Sequence, residues 1–352
     1  MPSAPSPHAV SPRASLSEVT AWITAAAQQH PDGLPQHLAE RLACSPASAR
    51  RLLRRLVDLQ WLQRDGPSRK LVYRPGALRQ VVQRYPLAGL QEDRPWALDF
   101  APHFELPDAV ARMAQHAFTE LLNNAIDHSG GSQVTVSMRQ TPLQLQMLVS
   151  DDGRGIFDAI GETFQIDDPV QAMLELAKGK LSTRPDGHNG RGLFFTARIA
   201  DIIDLHANNV AFQQRDWQRE QWQRGRPACR QGSSVYVAIC LDTERTLDAV
   251  LRRYSLDGAG YDFDRTVVPL RLVTGPQLAL ASRAQARRVA ARLQRFRRVE
   301  LDFDGLAEVG HGFADELLRV FQHQHPEVEL VPVNMAPPIA AMVESVQAAE
   351  PA

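Results

Sequence analysis

Four short stretches of this 352-residue chain combine side chains and glycines in patterns that could do chemistry. In AVARMAQHAFTELLNNAIDHS, Glu120 and Asn124 stand four residues apart, so a helix would place them on one face. That pairs a carboxylate able to take a proton with a carboxamide oxygen able to meet a hard cation. The alternating run LQLQMLV leads straight into Asp151-Asp152-Gly153-Arg154-Gly155, an acid at a strand end followed by glycines that permit close backbone approach. About thirty residues later Gly187-His188-Asn189-Gly190-Arg191-Gly192-Leu193 opens a helix, and free N–H groups at a helix N-terminus suit an anion. Gly232-Ser233-Ser234 then makes a small turn before the strand VYVAIC. Singly these features are commonplace, since glycine turns fill many loops and Glu with Asn on a helix is usually a solvated face. In this order they form a specific set.

The series E-x-x-x-N-A, D-x-G-x-G, G-x-G-L and G-S before a final strand resembles the GHKL ATPase superfamily of gyrase B, MutL, histidine kinases and anti-sigma kinases. It covers residues 104–241 and implies an α/β sandwich that binds ATP with Mg²⁺. By that resemblance Asn124 holds the metal, Asp151 accepts the exocyclic amine proton of adenine, and Gly153 and Gly155 let the backbone approach the ring. Gly190 and Gly192 present N–H donors to the phosphates, and Ser233 joins the nucleotide-binding set. Residues 157–189 would form the nucleotide lid, with Lys178, Lys180, Arg184 and His188 as phosphate contacts, of which Lys180 is retained as a binding residue. Glu120 is either the general base that orients a water or hydroxyl against the γ-phosphate, or a local support for Asn124. His116 and His128 lie near the same face and are assigned no catalytic role.

The elements around this core follow from periodicity and charge. No stretch approaches the roughly 18–20 uninterrupted apolar residues of a membrane span, and the start MPSAPSPHAVSPR lacks a signal-peptide core. Three scattered cysteines, Cys44, Cys229 and Cys240, fit neither a disulfide framework nor a zinc site. The expectation is a cytoplasmic chain of two or three packed units, without a membrane partner. Its net charge of −1 divides into +7 over residues 1–84 and −8 over the remainder.

The basic part begins with a Pro/Ser-rich tail, residues 1–13, expected to be disordered. Ser15 and Glu18 make a capping box for a first helix facing inward through Val19, Ile23, Ala26 and Ala27. Leu34, Leu38 and Leu42 mark a second helix. Ser45-Pro46 opens a third, with Leu52, Leu53, Leu56 and Leu59 inward and Arg50, Arg51, Arg54 and Arg55 around its other face. WLQRDGPSRKLVYRP then reads as two strands about a turn. Residues 14–78 thus resemble the winged helix-turn-helix of bacterial regulators, mainly α with a β-wing. This implies duplex DNA as partner, contacted by those four arginines and by Arg69, Lys70 and Arg74 of the wing; the fold also serves as a protein-docking module. Residues 79–103 read as a linker.

Residues 242–352 alternate strand and helix, as in a small α/β layer. The run SRAQARRVAARLQRFRRVELDFDGLAEVGHGFADELLRVF resembles the STAS-like family, and more distantly the anti-sigma factor antagonists, which implies a protein partner. Those antagonists carry a phosphoaccepting serine in the turn after the central strand. Here that turn is Glu308-Val309-Gly310-His311-Gly312-Phe313, without a hydroxyl, so contact rather than phosphorylation is the expected output. Residues 80–103 are too short for the dimerising hairpin of a sensor histidine kinase. The leading expectation is an ATP-binding regulator whose nucleotide state alters domain packing and DNA binding. An anti-sigma-type serine/threonine kinase and an ATP-stabilised interaction module stay open, as does a homodimer reading paired half-sites.

Overall fold

The computed structural model describes residues 15–67, 71–182, 190–218, 222–274 and 279–348. The chain divides into two compact units: Met1–Arg84, Asp93–Glu105 and Val136–Met147 form one, and Tyr85–Glu92, Leu106–Thr135 and Leu148–Ala352 the other. The expected tail, residues 1–13, lies outside the described residues.

The first unit opens on the expected capping box, Ser15 Oγ accepting the Glu18 N–H and Glu18 accepting the Ser15 N–H. The single helix expected there comes as two, α1 Leu16–Thr20 and α2 Ile23–Gln29, separated at Trp22. Val19, Thr20, Ile23 and Thr24 make this stretch dense in β-branched side chains, which lose χ1 freedom in a helix. Val19, Ile23, Ala26 and Ala27 are nonetheless buried. After α3 Leu34–Arg41, α4 Pro46–Asp58 starts with Ser45 Oγ accepting the Ser48 N–H and Pro46 at its first position. Ala49, Leu53 and Leu56 face the core, whereas Leu59, expected inward, sits past the last turn and is 40% exposed. Strands β1 Leu62–Asp65 and β2 Val72–Pro75 pair antiparallel, Leu62 opposite Pro75, and Trp61, Leu62 and Tyr73 complete the helical core.

Residues 79–103 are not a linker. Strand β3 Arg79–Pro86 is followed by a π-helical turn, Pro95–Phe100, that buries Pro95, Trp96 and Phe100. Arg79 is itself buried, donating to the Gly76 carbonyl and pairing with Glu105 at 2.7 Å. The polar residues of RQVVQRYP conceal an alternating strand, and Trp96 and Phe100 are core.

In the second unit the 21-residue α5 Asp108–His128 buries Val110, Met113, Ala117, Leu121 and Ala125, the face its spacing predicts. Strands β4 Gln133–Gln140 and β5 Gln144–Asp151 follow, their stretch Val136–Met147 belonging to the first unit, then α6 Ile156–Phe164, α7 Pro169–Lys178 and α8 Gly192–Ile199. Next come β6 Ile202–Asn208, β7 Val210–Arg215, β8 Trp222–Arg224 and β9 Arg230–Cys240. The sheet runs β3-β4-β5-β9-β6-β7-β8, with β6 antiparallel to both β9 and β7. That order sets the end of β5 beside the Gly-Ser turn of β9.

The C-terminal layer belongs to the same unit. After α9 Leu247–Arg253 it comprises β10 Arg265–Pro269, α10 Arg283–Ala290, β11 Arg298–Asp302, α11 His311–Ala314, α12 Phe321–Gln324, β12 Glu329–Val333 and α13 Pro337–Ala348. Its strands form a parallel sheet ordered β10-β11-β12. The run TVVPLRLV ends as a strand at Pro269, which has no N–H to continue a ladder, and turns into a 3₁₀ segment. Among the described residues no helix is long and apolar enough to cross a membrane.

Candidate functional site

The amphipathic face of α5 and the strand order together create a cavity of about 310 Å³ within the second unit. Glu120, Asn124, Asp151, Gly190, Gly192 and Ser233, drawn from four separate sequence stretches, all line it. Ile156, Ile160, Leu193 and Val235 supply apolar walls. A flat apolar group and a string of anionic oxygens would each find a matching surface here.

Asp151 sits at the β5 end and is 5% exposed. Its Oδ1 accepts the Gly153 N–H at 2.9 Å and the Ser233 N–H at 3.1 Å. Burial pushes its carboxyl above the ordinary 3.8, and the two backbone donors oppose that rise. Asp152, its neighbour, faces water and accepts from the Ser132 N–H, the Ser132 hydroxyl and the Gln133 N–H. Those bonds, the hydroxyl's foremost, hold it down at about 2. The first acid thus faces the cavity, and the second fastens the turn.

Gly153 and Gly155 shape that turn. Gly155 precedes α6 and lies against Asn208, whose Nδ2 donates to the Arg154 carbonyl at 2.7 Å. The Asn208 Oδ1 accepts the Gly232 N–H at 3.0 Å, and the Ser233 hydroxyl accepts the Ile156 N–H, also at 3.0 Å. Asn208 therefore joins the D-x-G-x-G and Gly-Ser turns, a role missed in the sequence. Its only signal there is Asn208-Asn209 between two strands, a dipeptide suited to the left-handed conformation Asn208 adopts at φ +50°.

At the opposite end, Gly190 has φ +62°, and a Cβ on it would lie 2.4 Å from the Leu181 backbone nitrogen. Gly192 opens α8 with its Cα against Glu120; a methyl there would overlap the carboxylate. Only glycine keeps both the α8 N-terminus and Glu120 in the cavity wall. His128, Ser129 and Arg191 line the cavity as well. His128 was set aside in the sequence because a histidine at a helix end usually packs or caps. His116 stays outside the lining, and burial pushes its imidazole below the ordinary 6.5.

Neither Lys178 nor Lys180, expected at the phosphates, lines the cavity. Lys180 turns from the cavity: its Nζ donates to the Arg295 carbonyl at 2.8 Å and lies 3.5 Å from Asp264. Lys178 is 1% exposed and paired with Glu175. Both follow acceptors in the C-terminal layer, the Ala291 carbonyl for Lys178 and the Arg295 carbonyl with Asp264 for Lys180, which spacing within residues 157–189 cannot reveal. Arg184 and His188 lie outside the described residues, as do Arg69 and Lys70. Arg50, Arg51, Arg54 and Arg55 are exposed on α4, and Arg74 is exposed beside Asp65.

ATP and Mg²⁺ fit these residues: the cavity has ligand-site size, a buried acceptor and a glycine cradle that any Cβ would fill. Among the described residues no trio of His, Cys, Asp or Glu could hold a metal. A cation would rest on the Asn124 oxygen, phosphates and water, the usual mode for Mg²⁺.

Comparison with known proteins agrees with this geometry. The histidine kinase-like ATPase domain family matches residues 87–211, and a STAS-like domain of unknown function matches residues 285–340. The chain therefore contains a histidine kinase-like ATPase domain, an ATP-binding domain, followed by a STAS-like domain. A probable sensor histidine kinase, TcrY of Mycobacterium tuberculosis (strain ATCC 25618 / H37Rv), is 29% identical over 184 residues, covering 50% of this chain. The match spans only 36% of that relative's length.

Proposed function

We propose that this protein is an ATP-dependent regulator: Mg-ATP occupies the α5–β5–α8 cavity, and its presence or slow hydrolysis controls binding of duplex DNA by the N-terminal unit. The observation that carries the nucleotide part is the convergence of six sequence-assigned residues on one cavity with buried Asp151 in its wall. When bound, the cofactor supplies an activated γ-phosphoryl group. Asp151 accepts from the base, Asn124 contributes one oxygen to the metal, and the N–H groups of Gly190–Gly192 face the phosphates. Glu120 stands in the wall with its carboxylate against Gly192, suited to orient and deprotonate a water.

The DNA part rests on the +7 balance of residues 1–84 and on four exposed arginines along α4, which with the β1–β2 hairpin fits a winged helix. Selection of bound duplexes from a random pool, with and without Mg-ATP, tests it. Enrichment that changes with nucleotide supports the reading, and no enrichment in either condition removes it.

A kinase is the second reading, favoured by the histidine kinase-like domain itself. Upstream of α5 the longest described helix, α4, has 13 residues and is followed by a hairpin, not by a second long helix carrying an acceptor histidine. A kinase of this form would act on a separate protein. Labelled ATP incubated with lysate would reveal that acceptor.

A further inference from the structure

The stretch connecting α7 to the cavity edge is held by the C-terminal layer. Glu175 and Lys178 are each 1% exposed and pair at 2.6 Å. Lys178 Nζ donates to the Ala291 carbonyl at 2.9 Å, and the Arg292 guanidinium reaches the other Glu175 oxygen at 3.2 Å. Arg292 also lies over the Phe164 ring, 4.7 Å from its centre. Gln171 donates to the Arg288 carbonyl, while Lys180 and Arg295 exchange side-chain bonds to each other's carbonyls at 2.8 and 2.7 Å. Thr266 of β10 donates to the Lys178 carbonyl. Between these contacts, Leu176, Leu181 and Ser182 line the cavity.

Two features mark the contact as more than packing. Lys180 and Arg292 both adopt the left-handed region, at φ +56° and +65°, where side chains other than glycine and asparagine are strained. The buried Glu175–Lys178 pair, met by the part-exposed Arg292, is also a poor means of gaining stability, because apolar packing would serve as well. It does fix one geometry, since any other arrangement leaves a buried charge unpaired.

Resting on the nucleotide reading above, we infer that Arg292 is a positioning residue for the cavity, and that residues 286–296 of the C-terminal layer register nucleotide occupancy through the Glu175–Lys178–Arg292 cluster. A ligand pressing on Leu176, Leu181 or Ser182 acts on a backbone tied at both sides to α10 and the segment before β11. The STAS-like layer is thus a reporter of the site, bound to the segment whose Leu176, Leu181 and Ser182 form part of the wall.

Hydrogen exchange on the full chain, with and without a non-hydrolysable Mg-ATP analogue, tests this. In the wild type the analogue should slow exchange over 149–156 and over 286–296. Arg292→Ala should keep the first effect, lose the second and weaken analogue binding about tenfold, with Arg292→Lys recovering most of both. Should Arg292→Ala fold poorly, Gln171→Ala, which removes the bonds to the Arg288 carbonyl and to Glu175, should reduce the 286–296 effect alone. Protection over 149–156 without protection over 286–296, or an unchanged response in Arg292→Ala, would overturn the inference while leaving nucleotide binding intact. No protection over 149–156 would overturn the nucleotide reading and this inference with it.

Discussion

The two ends of the cavity are built by different means. At the Asp151 end every restraint comes from the ATPase domain: turn N–H groups fix Asp151, Ser132 and Gln133 fix Asp152, and Asn208 ties one turn to the other. At the Gly190 end the wall depends on residues 70 to 115 positions later. Gly179 lies against Phe263, Arg191 donates to the Tyr261 carbonyl, and Lys180 engages Arg295. One end is thus rigid by local design, and the other is held from outside and open to control.

Experiments can break this contrast. The largest effect should come from Glu120→Gln, which keeps shape and hydrogen bonding but removes the base. ATP turnover should fall about a thousandfold with nucleotide affinity nearly unchanged, measured as phosphate release beside titration. Unchanged release would make Glu120 a support for Asn124 instead. Next, Gly190→Ala places a methyl 2.4 Å from the Leu181 nitrogen at a φ disfavoured for alanine, and should weaken ATP binding about a hundredfold. Equal binding would show that the Gly190 end yields freely. Outside the cavity, Arg51→Ala with Arg54→Ala should weaken duplex binding about tenfold and lower the salt slope by about one per arginine. An unaltered slope would point to protein docking by α4.

The smallest effect compares adjacent acids. Asp152, held at about 2 against an ordinary 3.8, adds stability that is complete above 3.8 and lost as pH falls toward 2. Asp151, shifted upward by burial, has the opposite sign: its contribution declines as pH rises from 3.8 through its folded value. Urea midpoints against pH should therefore flatten below pH 4 in Asp152→Asn, and a profile matching wild type would remove that assignment.

The contrast also explains what could be read in advance. That Glu120, Asn124, Asp151, Gly190, Gly192 and Ser233 meet at one cavity was legible because the set keeps a fixed order and short-range spacing. Lys180 was misplaced because its partners, Asp264 and Arg295, belong to a different sequence region, and long-range pairing leaves no local pattern. Asn208 was hidden for the same reason, and β3 because buried Arg79 breaks the apolar alternation of its strand. The helical core of the first unit was legible through caps and period, whereas the break at Trp22, in a stretch dense in β-branched residues, leaves the apolar period intact and so was not.

In the proposed function the Asp151 end receives an adenine. Calorimetric titration of Mg-ATP into wild type and Asp151→Asn tests it most directly. The asparagine oxygen can still accept from Gly153 and Ser233, but its amide would turn a second donor toward the base amine. One-to-one binding in wild type and loss of saturable heat in the folded variant is the predicted result. Equal binding by both proteins would contradict it.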